Sequence, residues 1–168
     1  MNTELADFFR FNLWANLCLL DACAKLTDAQ LDATMKGTYG SVRATLIHIF
    51  AGEEGYVYRF TGHGPEPSLY ELNSFPGFDE LRRQAHQSGE ALIAIAEHLE
   101  HRQMLDLSYQ GKHYDVPAIL VLIQAIDHGI DHRSQIATLL SQQDITLPEL
   151  DGWEYFFALS QSDEVKQN

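Results

Sequence analysis

The chain has 168 residues, 45% of them apolar, which is enough for one globular domain with a real core spanning 1–168. Its formal net charge of −13 excludes nucleic acid and anionic membrane surfaces as natural partners, because both carry phosphate charge that it repels. The first residues lack the basic start and apolar stretch of a signal peptide, and the longest apolar run, Ala118 to Ile123, is too short to span a bilayer, so a cytoplasmic protein is expected.

Leu5, Phe8, Phe9, Leu13, Leu17 and Leu20 recur at helical spacing and predict a first helix from about Thr3 to Lys25. Cys18 and Cys23 point to different sides of that helix, so they read as core residues in a reducing compartment and not as a disulfide. Thr27-Asp28 marks a stop, or the start of a short helical turn. Val42, Leu46, Ile49, Phe50 and Val57 predict a second helix from near Ser41 to Phe60. Residues 61–77, with three prolines and three glycines, read as loop. Leu81, Ala85, Leu92, Ile95, Ala96 and Leu99 predict a third helix from about Phe78 to Glu100. Alternation on either side of Gln110-Gly111-Lys112 predicts a β-hairpin from Leu105 to Val116. A fourth helix then follows from Pro117 to about Gln142, with Leu120, Ile123, Ile126 and Ile130 as its apolar face. The patch from Leu150 to Leu159 fits a short helix or a strand-like cap, and the last eight residues are expected to fray. The sum is an all-α four-helix bundle with a short β-hairpin between helices three and four.

The chemistry concentrates in Asp127-His128-Gly129-Ile130-Asp131-His132-Arg133. His128 and His132, four apart on one helix, stack on one face and can reach a single ion. Two ligands are too few for a stable site. Among the other histidines, His63, His86, His98, His101 and His113 lie in polar or loop surroundings and read as surface residues. His48 differs: it sits mid-helix in Leu46-Ile47-His48-Ile49-Phe50, with Ala44, Ala51 and Gly52 one turn away, small residues that leave room for an ion. The competing reading of His48 is a core histidine with a local hydrogen bond. Glu53, Glu54, Asp127 and Asp131 are candidate partners for the ligating imidazoles, and Arg133 is expected to pair with an acid. Asn12 and Asn16 either orient a ligand or cap against another helix.

Several local patterns resemble the DinB-like superfamily, also called YfiT-like metal-dependent enzymes. Phe11-Asn12-Leu13-Trp14-Ala15-Asn16 is similar to its first-helix signature, and Leu46-Ile47-His48-Ile49 to its second-helix histidine. The run from His128 to Ile136 is similar to its fourth-helix motif, which usually has glycine where this chain has Ser134, and Asp151 to Phe156 is similar to its closing segment. The resemblance implies a four-helix bundle with one divalent ion on His48, His128 and His132, and substrate contacts from Asn12 and Asn16. It implies a cleft walled by helix one, with Trp153, Tyr155 and Phe156 closing its mouth. A homodimer is also implied, since helical faces with exposed Trp or Phe often pair.

Three neutral histidines leave an ion its full charge and an open position, which is a catalytic geometry. Zinc or nickel is expected first, with iron or manganese as alternatives, because imidazole suits several metals. Such an ion lowers the pKa of a bound water, or binds a thiol as thiolate. The resemblance includes transferases that use low-molecular-weight thiols, so the first functional expectation is a thiol S-transferase acting on a small electrophile. The alternatives are a metal-dependent hydrolase of a small amide or ester, and a non-catalytic metal-binding stress-response protein. No catalytic side chain is singled out by the sequence.

Overall fold

The computed structural model describes residues 2–166 of the chain. Helix α1 runs Thr3–Cys23, α2 Asp28–Leu31, α3 Val42–Thr61, α4 Phe78–His98, α5 Ala118–Ser141 and α6 Gly152–Lys166; strands β1 (Met104–Tyr109) and β2 (Lys112–Pro117) stand between α4 and α5. The four long helices α1, α3, α4 and α5 form the bundle: α1 packs on α4 and α5, and α3 packs on the same two.

Local chemistry sets the boundaries. The Asn2 and Ser41 side chains accept from the backbone N–H groups of Leu5 and Ala44, capping α1 and α3. Thr27 and Gln30 make a reciprocal capping box, which is why Thr27-Asp28 starts the short α2. Gly62, at φ 70°, ends α3 in the left-handed conformation that glycine adopts without cost. The loop after it carries one 3₁₀ turn, Leu69–Glu71. In the hairpin, Leu105 pairs with Val116 and Tyr109 with Lys112, and Gln110 and Gly111 both take positive φ, as a two-residue hairpin turn requires.

Two apolar clusters fill the bundle. One includes Leu20, Ile49, Phe50, Ala85 and Ile136; the other includes Leu13, Leu92, Leu122 and Ala125. Along each helix the residues between these clusters are polar: Asn16 on α1, Glu53 on α3, Ser88 on α4 and Arg133 on α5, all buried. A polar layer therefore crosses the core at one level.

Three features depart from the sequence expectations. The face of α5 that enters the core is Val121, Leu122, Ala125, Gly129, His132, Arg133 and Ile136, whereas Leu120, Ile123 and Ile130 are 51%, 55% and 48% exposed. Apolar residues surround most of the first turns of α5, so periodicity alone does not select a face. Pro117 closes β2 and stands just before α5 rather than inside its first turn. The tail forms a helix that runs past the expected Leu159 to Lys166, and residues 167 and 168 lie outside the described residues. Among the described residues, no helix is long and apolar enough to cross a membrane.

Candidate metal centre

Helix α3 supplies His48, and α5 supplies His128 and His132 from successive turns of one face. One potential ligand atom from each lies within 4.8 Å of the others. The His48 and His128 Nε2 atoms are 3.1 Å apart, and the three ring centroids are 4.5–4.7 Å from one another. The close approach depends on Gly52: a Cβ at that position would stand 2.6 Å from His128 Cε1. The glycine one turn beyond His48 is thus the space into which the His128 ring fits.

The residues present suit a divalent ion. At zinc–nitrogen bonds of about 2.0–2.1 Å, tetrahedral ligand nitrogens stand about 3.3 Å apart, close to the His48–His128 separation. Burial, followed by the neighbouring His132 and His48, lowers His128 from the ordinary histidine value to about 4. Burial and then His132 lower His48 as well. Both rings are neutral at pH 7, the form that ligates. Two outer nitrogens have partners: His48 Nδ1 is 3.3 Å from the Tyr70 hydroxyl, and His132 Nδ1 is 3.3 Å from Gln135 Oε1. His128 Nδ1 is buried without one.

Aromatic rings surround the cluster. Tyr39 stacks on His48 with centroids 3.8 Å apart and planes 8° apart, and Tyr56 stands edge-on to His128 at 5.8 Å. Tyr70 also lines a cavity of about 630 Å³ between α3, the 62–71 loop and β1. The sequence reading missed Tyr39, Tyr70 and Gln135. The tyrosines lie in connecting segments without periodic signal. Gln135 follows Asp131 by four and His132 by three, a local spacing that could have flagged it.

Asn12 and Asn16 lie in the polar layer. Each donates through Nδ2 to Glu53 Oε1 at 2.8 Å, and each accepts through Oδ1 from Arg133 Nη1 at 2.7 Å. Ser88 donates to the other Glu53 oxygen at 2.6 Å. Of the two roles left open for the asparagines, the observed bonds are helix-to-helix ones. Arg133 does face an acid, Glu53, with the asparagines as the bridge. Burial lowers the guanidinium to about 10, with Glu53 opposing, and burial raises Glu53 against the bonds from Ser88 and Asn12. Both charges are thereby enclosed with hydrogen bonds.

Other candidates fall elsewhere. Glu54 accepts from the Leu69 N–H, Asp131 accepts from Gln135, and Asp127 is exposed. His63, His86, His98, His101 and His113 are all exposed, as expected. The expected cleft is corrected: the rings around the histidines are tyrosines from α3 and its flanking loops, not α1 and the tail. Tyr155 instead packs on Phe11 and Trp14, at centroid distances of 5.8 and 5.3 Å, while Trp153 and Phe156 are exposed. The tail sits on α1 because Phe11 and Trp14 offer an aromatic surface there.

The fold and site define a helical bundle in which three histidines gathered from two helices form a group that could hold a metal ion. The chain belongs to the DinB family, whose model matches residues 1–163. It is similar in structure to a DinB-like protein of Bacillus subtilis, YjoA, at 17% identity and a TM-score of 0.61, covering 86% of this chain and 98% of that one. It is similar likewise to a DinB-like protein of Bacillus cereus, at 17% identity and a TM-score of 0.64, covering 89% and 99%. No curated protein matches the chain.

Proposed function

We propose that this protein is a metal-dependent S-transferase: it holds one divalent ion, zinc or nickel, on His48, His128 and His132, and joins a low-molecular-weight thiol to a small electrophile in the cytoplasm. The observation that supports the reading is the donor set. Three imidazoles converge, and among the described residues no carboxylate or thiolate joins them as a fourth ligand. When bound, such an ion supplies the Lewis acidity that lets a thiol act as thiolate at neutral pH. The chain's own residues bind and enclose. Tyr39 stacks on His48, Tyr56 stands edge-on to His128, and the Tyr70 hydroxyl lies within hydrogen-bond distance of His48 Nδ1, contacts that would hold these rings in place.

Transfer and hydrolysis differ in their need for a base. Hydrolysis needs a general base within reach of the nucleophilic water. Glu53 is committed to two asparagines and a serine and Asp131 to Gln135, whereas Glu54 keeps one buried oxygen without a partner and remains the candidate base for the hydrolase reading. A thiolate needs no such base once its proton has left.

The partner is thus a small molecule, with nucleic acid and membrane disfavoured by charge. We also propose a homodimer, formed over the exposed apolar stripe of Phe8, Leu120, Ile123 and Ile130. A dimeric mass in dilute-solution scattering is the expected result, and a monomer refutes it.

The test of function is metal analysis followed by a thiol-plus-electrophile screen. One ion per chain is expected, with sharp loss in His48→Ala, His128→Ala and His132→Ala and none in His98→Ala or His101→Ala. After cobalt substitution an added thiol should perturb the spectrum saturably. Cobalt bound at the three histidines with a spectrum indifferent to thiols refutes the transferase reading.

A further inference from the structure

Gln135 is half-buried on α5, and its carboxamide makes three contacts. Its Nε2 donates to Asp131 Oδ2 at 2.8 Å. Its Oε1 accepts from the Tyr39 backbone N–H at 2.8 Å and lies 3.3 Å from His132 Nδ1. These contacts fix the protons. A carboxylate only accepts, so the amide face toward Asp131 is the NH₂; a backbone N–H only donates, so the face toward Tyr39 is the oxygen. The His132 nitrogen meeting that oxygen must then be Nδ1–H, which leaves the lone pair on Nε2.

The same oxygen anchors the segment between α2 and α3. Gly37 takes φ +97° there, and the Thr38 hydroxyl hydrogen-bonds the Met35 and Gly40 carbonyls. Tyr39, held by its N–H, lays its ring flat on His48 and edge-on to His132, at 5.6 Å from the latter.

We propose that Gln135 is the positioning residue of this site: one carboxamide oxygen sets the His132 tautomer that presents Nε2 to the ion, and also docks Tyr39 as a cover on His48. Metal loading and closure of the Tyr39 loop are therefore coupled through one side chain. An ion that fixes His132 and His48 fixes both ends of the Tyr39 contact, and a docked Tyr39 holds His48 in its ligating orientation. The ligand half rests on the metal reading above; the Tyr39 half does not.

The test uses the full chain as wild type, Gln135→Leu, and the exchanged pair Asp131→Asn with Gln135→Glu. In the exchanged pair, the carboxylate now at position 135 still accepts from His132 and Tyr39. The carboxamide now at position 131 donates to that carboxylate, so the contact along α5 is kept with donor and acceptor reversed. Zinc affinity is read by competition with a chromophoric chelator, and Tyr39 amide exchange by NMR with and without zinc. Gln135→Leu should bind zinc about 10- to 100-fold more weakly, the usual loss when a ligating histidine loses its outer partner. Its Tyr39 amide should exchange faster in the metal-free protein and gain no protection from zinc. The exchanged pair should restore both properties, which a merely structural role for Gln135 does not explain. Wild-type zinc affinity in Gln135→Leu, or an exchanged pair no better than it, overturns the proposal. If wild type itself binds no zinc, the metal reading and the ligand half fail together. Unchanged Tyr39 exchange in metal-free Gln135→Leu overturns the docking half on its own.

Discussion

Replacing Gly52 by alanine sets two effects of opposite sign against each other. Alanine in a helix interior is favoured over glycine by up to about 1 kcal/mol, which for a chain of this length raises the melting temperature by about 2–4 °C. The new Cβ, however, would stand 2.6 Å from His128 Cε1, 3.1 Å from Nδ1 and 3.2 Å from Nε2. Against a carbon–carbon contact of about 3.5 Å, the ring must retreat by about 0.9 Å. Ligand bonds hold to within about 0.2 Å of their preferred lengths, so a retreat of that size removes His128 from an ion shared with His48 and His132. The expected result is zinc affinity reduced by at least about 100-fold, the upper end of what losing an outer partner alone causes. The metal-free protein should melt within a few degrees of wild type. Chelator competition measures the first and a thermal melt the second. Wild-type zinc affinity in Gly52→Ala would refute the reasoning, since His128 could not then lie against Gly52 while ligating.

The polar layer should be costly to break. Arg133→Met leaves Glu53 buried without its counter-charge, and a loss of about 3–5 kcal/mol is expected in urea unfolding. Gly129→Ala should destabilise as well, because its Cβ would lie 2.7 Å from Asn12 Oδ1 and 2.9 Å from Arg133 Nη1. The pH dependence follows from His128, held at about 4 against an ordinary 6.5. Between those values the unfolded chain binds a proton that the native protein refuses, so metal-free stability falls as pH drops from about 6.5 to about 4. The shift corresponds to about 3 kcal/mol at most, and to about 1–2 kcal/mol after allowance for partial exposure; a flat urea midpoint across that window refutes it. Burial pushes the Cys23 thiol up to about 12, whereas Cys18 is half-buried. A thiol reagent should therefore modify Cys18 in the native protein and Cys23 only on unfolding, as timed mass spectrometry would read.

The separation between what the sequence discloses and what it hides follows the distance over which residues interact. The pairing of His128 with His132 is local, four residues on one helix, and the openness beside His48 shows in its small neighbours. The caps at Ser41 and Thr27 and the turn at Gln110-Gly111 are local too, and the helices begin and end close to where those residues predict. The partners of Asn12 and Asn16 are not local. Glu53 lies 41 and 37 residues away, and Arg133 121 and 117. Each member could be singled out, but nothing in its own neighbourhood says which others it meets. That nonlocal layer also explains why α5 turns as it does. Its apolar residues cover too much of its circumference to choose a side, yet Arg133 can enter the core only where Glu53 and the two asparagines receive it. Docking Arg133 there leaves Gly129 against Asn12 and sets His128 and His132, on the adjoining edge of the buried face, toward His48. It also turns Leu120, Ile123 and Ile130 outward. The site's orientation and the exposed stripe offered for dimerisation are thus two consequences of seating one buried arginine.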